Sequence, residues 1–118
     1  MNKFEELKRN RYIKKMHSNA IAMFTRQIDL REGCLKMEYF YDQIEHISSL
    51  EGIDIDIFKE FSLKTSFFPL PKEREVYNQE YLTALDARLS TIEEQYRDRV
   101  LQKCGELVSK LQYIKTIV

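Results

Sequence analysis

The stretch YLTALDARLSTIEEQYRDRVLQKCGELVSKLQYIKTIV, residues 81–118, decides the fold. Apolar side chains recur in it at Leu82, Leu85, Leu89, Ile92, Tyr96, Val100, Cys104, Leu107, Leu111, Ile114 and Val118. The mean step is about 3.6 residues, the period of an α-helix, and no proline interrupts it. One long amphipathic helix is predicted, and the rest of the chain must cover its stripe. No catalytic or cofactor motif lies on it. The fold class that follows is all-α, a bundle of about four to six helices around one core.

A chain of 118 residues makes one domain, 1–118, and is too short for two cores. Nineteen basic and nineteen acidic residues cancel, and the basic first helix carries no recognition-helix motif, so neither nucleic acid nor a membrane is expected as partner. The charges are unevenly placed. Lys3, Lys8, Arg9, Arg11, Lys14 and Lys15 face only Glu5 and Glu6 in the first seventeen residues. From Glu38 to Glu60 the acids Glu38, Asp42, Glu45, Glu51, Asp54, Asp56 and Glu60 are opposed by Lys59 alone. Either cluster is a solvated face or a surface that steers a partner. Nothing resembles a secretory leader or a membrane span, which predicts a cytoplasmic protein. Cys34 and Cys104 fall on apolar stripes with no CxxC spacing, as buried reduced thiols do.

Upstream of the long helix, Phe4, Leu7, Ile13, Met16, Ala20, Phe24 and Ile28 predict a first helix from about Lys3 to Gln27. Asp29 and Glu32 have the spacing of a capping box, so a second helix starts at Leu30 and lasts to about Ser49. It carries one strip of Leu30, Cys34, Met37, Tyr41, Ile44 and Ile47 and another of Leu35, Tyr39 and His46, which predicts neighbours on both flanks. Gly33 predicts a close approach by another helix, and Gly52 a left-handed cap. The alternating run Ile53 to Ile57 has no strand to pair with, so it reads as a linker into a short helix bearing Phe58 and Phe61. Thr65 to Pro71 cannot be helical throughout. Its Phe67 and Phe68 are expected to plug one end of the bundle, the alternative being an exposed contact. Pro71 opens a helical piece bearing Val76 and Tyr77, and Asn78 caps the long helix.

That helix poses a geometric problem. About 38 residues span ~57 Å, whereas a compact chain of this size is roughly 35 Å across. The expected resolution is a bend near Gly105, between Cys104 and Glu106. Otherwise one end projects and pairs with a second copy or another protein.

Ferritin-like metal bundles use Glu-x-x-His turns. None of the thirteen glutamates has one, and His17 and His46 fall on different helices. No phosphate loop, nucleophile elbow or zinc cysteine pair occurs, so neither metal nor cofactor is expected.

At Ile28-Asp29-Leu30-Arg31-Glu32-Gly33-Cys34 the chain resembles a family of short, cytosolic, all-α bacterial proteins of unknown function, in which a similar Leu-x-Glu-Gly-Cys step opens the second helix. The likeness continues more loosely through Asp56-Ile57-Phe58, Leu70-Pro71, Arg74, Tyr77-Asn78 and Leu82 to Asp86. Around the proline this chain has Thr65-Ser66-Phe67-Phe68 and Lys72, where relatives tend to carry an acid and a turn glycine. The resemblance implies an all-helical fold and no particular activity.

The functional expectation is a non-catalytic protein that binds another protein, such as an immunity protein neutralising a nuclease toxin. Glu38, Asp42, Glu45, Asp54, Asp56 and Glu60 would meet a basic toxin domain, with Tyr39, Phe67 and Phe68 as aromatic anchors. The competing expectation is an enzyme or small-ligand binder with a pocket among His46, Glu45, Tyr41 and Arg74. A third is self-association through the overhanging last helix.

Overall fold

The computed structural model describes residues 1–114. Helix α1 covers Lys3–Phe24, α2 Leu30–Ile47, α3 Asp56–Thr65 and α4 Gln79–Gln112, with a 3-10 helix at Pro71–Val76 between the last two. No strand occurs among the described residues. α1 packs on α2 and α4, α2 on α3, and α3 on α4, which closes a ring of four helices.

Local chemistry sets the helix starts. Asn2 and Glu5 form a reciprocal capping box on α1. Asp29 accepts from the Glu32 N–H at 3.2 Å, but the Glu32 carboxylate turns to Lys36 at 3.3 Å instead of completing a box. Asp54 accepts from the Asp56 N–H at 2.8 Å at the start of α3, and Asn78 accepts from the Tyr81 N–H at 2.8 Å at the start of α4. Each satisfies an N–H that the first turn would leave unpaired. Gly52 is left-handed, φ +78°, as expected, but it sits in the turn beyond α2 and is not its cap.

Ile13, Met16, Ala20, Met23, Cys34, Met37, Ile44, Phe58, Phe61, Val100, Cys104 and Leu107 form the centre of the core, each at most 1 % exposed. Every described member of the α4 stripe is buried or half-buried; Val118 lies outside the described residues. The ends of the α1 stripe are not covered, because Phe4 and Phe24 are 76 % and 54 % exposed. The second α2 strip is not covered either. Leu35, Tyr39 and His46 face water, so α2 is flanked by α1 and α3 but not enclosed.

Gly33 marks the tightest contact. A Cβ there would lie 2.5 Å from Met23 Cγ, and its carbonyl accepts from Asn19 Nδ2 at 2.9 Å. The missing side chain brings α1 and α2 together, and the buried amide is satisfied across the seam.

Gly105 does not break the long helix. α4 is continuous from Gln79 to Gln112, and its ~51 Å accounts for the 53 Å long axis of the molecule. The radius of gyration is correspondingly 16.1 Å, against about 13.5 Å for a compact chain of this length. Gly105 has a different use: the Phe24 ring would come within 3.2 Å of a Cβ at that position. The overhanging end is the N-terminal one, and residues 66–78 run beside it as a strap.

Candidate functional site

Side chains on a helix advance about 100° per residue, which fixes how α2 distributes its charges. With Leu30, Cys34, Met37 and Ile44 facing the core, Glu38, Asp42 and Glu45 follow the flank of Arg31, the side of α3. Lys36 and Phe40 occupy the flank of α1. Asp54 and Asp56 continue the acidic flank at the entrance to α3. The Glu45 carboxylate, then burial, then the charges of Asp56 and Asp54 push the Tyr41 phenol up to about 12, so these four side chains share one neighbourhood. Lys59 Nζ sits 5.8 Å from the Tyr41 ring, and Lys103 bonds Glu106 at 2.8 Å. That bond, followed by the fields of Glu106, Asp54 and Asp56, holds the Lys103 ammonium above its usual value.

Among the described residues, Glu38, Asp42, Glu45, Asp54 and Asp56 make no ion pair, while Glu60 reaches Arg99 at 3.9 Å. Asp42, Asp54, Asp56 and Glu60 are exposed; Glu38 and Glu45 are half-buried. Glu38, Asp42, Glu45, Asp54 and Asp56 therefore form one ridge, and Glu60 turns to α4.

The aromatic residues do not join it. Tyr39 is 53 % exposed but lies on the solvent side of α2, against Tyr12 at 6.1 Å and Phe40 at 5.8 Å. Phe67 and Phe68 stack at 4.6 Å beyond the far end of α3. Phe67 is 65 % exposed, whereas Phe68 is 2 % exposed and cannot anchor a partner as it stands. The pair is half plug and half contact.

Arg31 is the reason. This buried guanidinium donates to the carbonyls of Thr65 (2.9 Å), Phe68 (3.0 Å) and Pro69 (3.3 Å), satisfying the end of α3 and pinning Phe68 inward. Sequence reasoning missed it, since one arginine on a helix flank carries no periodic signal.

The alternative pocket residues do not converge. Tyr41 and Glu45 meet, but His46 is exposed, and Arg74 is held by Asp86 at 2.7 and 2.9 Å. Asp86 is seventeen residues from Lys103, roughly 25 Å along α4, and Lys103 is level with the Tyr41 neighbourhood.

Among the described residues no three His, Cys, Asp or Glu side chains are placed to hold a metal ion. Both cysteines are free and buried, with Cys104 Sγ 3.8 Å from Met23 Sδ. Burial pushes the Cys104 thiol up to about 12 and raises the Cys34 thiol as well, which disfavours the thiolate at both. No helix among the described residues is long and apolar enough to cross a membrane. No protein-family model, no curated protein and no solved structure matches the chain.

Proposed function

We propose that this is a non-catalytic protein whose acidic ridge binds a basic surface on another protein, as an immunity protein covers the substrate groove of a nuclease toxin. The observation that carries the reading is the set of five carboxylates, Glu38, Asp42, Glu45, Asp54 and Asp56, gathered on one side without ion-pair partners among the described residues. Like charges placed together repel, which costs stability, and a cationic partner relieves that cost on binding. Such a field speeds capture and makes it sensitive to salt. The likeness at Ile28 to Cys34 to short bacterial helical proteins belongs to this proposal as a fold-level likeness and transfers no activity.

The test is capture from the native cell with the wild type and with a Glu45→Lys, Asp54→Lys, Asp56→Lys variant of unchanged helicity. The expected result is a basic protein retained by the wild type at low salt, released as salt rises, and missed by the variant. Equal retention by both, or a captured protein with no basic face, overturns the reading.

A further inference from the structure

The opposite flank of α2 carries the opposite charge. A shallow groove of about 430 Å³ runs between α1 and α2, lined by Arg11, Lys14, Lys15 and Lys36, with the polar Ser18 and Asn19 and an apolar floor including Phe40. No carboxylate lines it. Glu32, outside the lining, pairs with Lys36 at 3.3 Å and is itself more than half exposed. Arg11, Lys14 and Lys15 make no ion pair among the described residues.

Beside these cations stands an aromatic platform. Tyr12, Tyr39 and Phe40 contact one another at 5.8 to 6.1 Å, so Tyr39 is propped in place while half of its surface stays open. Lys15 Nζ lies 5.4 Å from the Tyr12 ring. The Tyr39 phenol is held above its usual value first by the Tyr12 hydroxyl beside it, yet it also feels Lys15 and Lys8 pulling the other way. Through Tyr12 and Lys15, the Tyr39 ring therefore adjoins the groove at its Lys15 side. The zero net charge conceals this, because it averages a basic flank with an acidic one.

We propose that the α1/α2 groove binds single-stranded nucleic acid, with Arg11, Lys14, Lys15 and Lys36 on successive phosphates and a base stacked on the exposed Tyr39 ring. Exposed cations along a groove, three of the four without an ion-pair partner among the described residues, supply affinity by counterion release, and a propped aromatic face supplies stacking that tolerates any base. An acidic polypeptide would use the same cations but leave the open tyrosine without a role. A duplex keeps its bases stacked inside and offers Tyr39 none. This site lies on the flank of α2 opposite the acidic ridge and does not depend on the function proposed for that ridge.

The experiment is fluorescence anisotropy of a labelled single-stranded oligonucleotide, as DNA and as RNA, titrated with the full chain at several salt concentrations. Saturable binding is expected, with a log–log salt slope of about −2 to −3, as three or four neutralised phosphates give. Lys14→Glu with Lys15→Glu should weaken binding at least about tenfold. Tyr39→Ala should weaken it at least about fivefold with the salt slope kept, and Tyr39→Phe should bind as the wild type does. Lys64→Glu with Lys72→Glu, away from the groove, should change little. Absence of binding at low salt, equal affinity for duplex of the same sequence, equal displacement by poly-glutamate, or a Tyr39→Ala variant that binds normally each overturns the proposal. Circular dichroism of every variant separates lost binding from lost fold.

Discussion

The two ends of α4 share one apolar rhythm and are covered in different ways. From Tyr96 to Leu111 the stripe enters the main core, where α1 and α3 pack on α4 and α2 closes the ring, and Val100 and Cys104 have no exposed surface. At the other end Leu82 and Leu85 are buried too, at 6 % and 7 % exposure, but they lie outside that cluster. Beside them runs the strap of residues 66–78, whose 3-10 helix buries none of its own residues. Arg74 on Asp86, and Phe68 with its ring 5.9 Å from the Arg88 guanidinium, hold the strap to the helix. A helical period reports which face is covered. It does not report how thickly, and thickness sets the stability of each region.

The contrast can be broken most forcefully in the core. Phe61→Ala should cost about 3–5 kcal/mol by chemical denaturation, since Phe61 is fully buried and packs against Tyr96 at 5.6 Å. Leu85→Ala should cost only about 2 kcal/mol, at the low end for such changes, because the thin cover can settle into the gap. By hydrogen exchange, amides of residues 96–111 should open only with global unfolding and those of residues 80–90 well before. Equal costs and equal protection would show one cooperative unit and remove the distinction.

Next in size is the fastening of the strap. Arg31→Ala leaves the Thr65, Phe68 and Pro69 carbonyls without their donor, and should cost about 2–4 kcal/mol. Phe68 should become accessible while the main core keeps its exchange protection. A loss of protection at Phe58 and Phe61 as well would tie the strap to the core.

The two helical glycines should then part company. Gly33→Ala forces a methyl against the buried Met23, a net loss of about 1–2 kcal/mol after the helix-propensity gain. Gly105→Ala meets only the edge of the half-exposed Phe24 ring, which can swing aside, so the change should be neutral or stabilising by up to about 1 kcal/mol. Thermal melts of the pair decide it.

The smallest effect is on pH. The Tyr41 phenol is held near 12, above its ordinary 10, so it favours the folded state fully below the ordinary value. That contribution disappears as pH rises through the folded one. Ultraviolet titration should show Tyr41 ionising late, as Tyr39 also does, and Glu45→Gln should bring down the Tyr41 step alone. An unchanged titration in that variant would remove Glu45 as the cause.

Periodicity made the helices legible. The caps at Asp29 and Asn78 and the left-handed Gly52 could also be read, because each depends on neighbours along the chain, while Gly33 announced a close approach without naming Met23 as its partner. The acidic ridge was legible for a related reason: Glu38, Asp42 and Glu45 fall on one flank by spacing alone. Whether Tyr39, Phe67 and Phe68 reach water was not legible, because the exposure of each depends on which element lies over it.

The sequence by itself determined the helical class, the covered face of α4 and the separation of acidic from basic segments, since all three are set by residue types at fixed spacing. Only the tertiary structure decided that α4 runs through Gly105 without a break, that Arg31 draws Phe68 inward, and that basic residues of α1 and Lys36 of α2 share one groove. Those outcomes depend on contacts between residues far apart in the chain, where a partner is chosen by shape and by unsatisfied hydrogen bonds, and no local pattern encodes either.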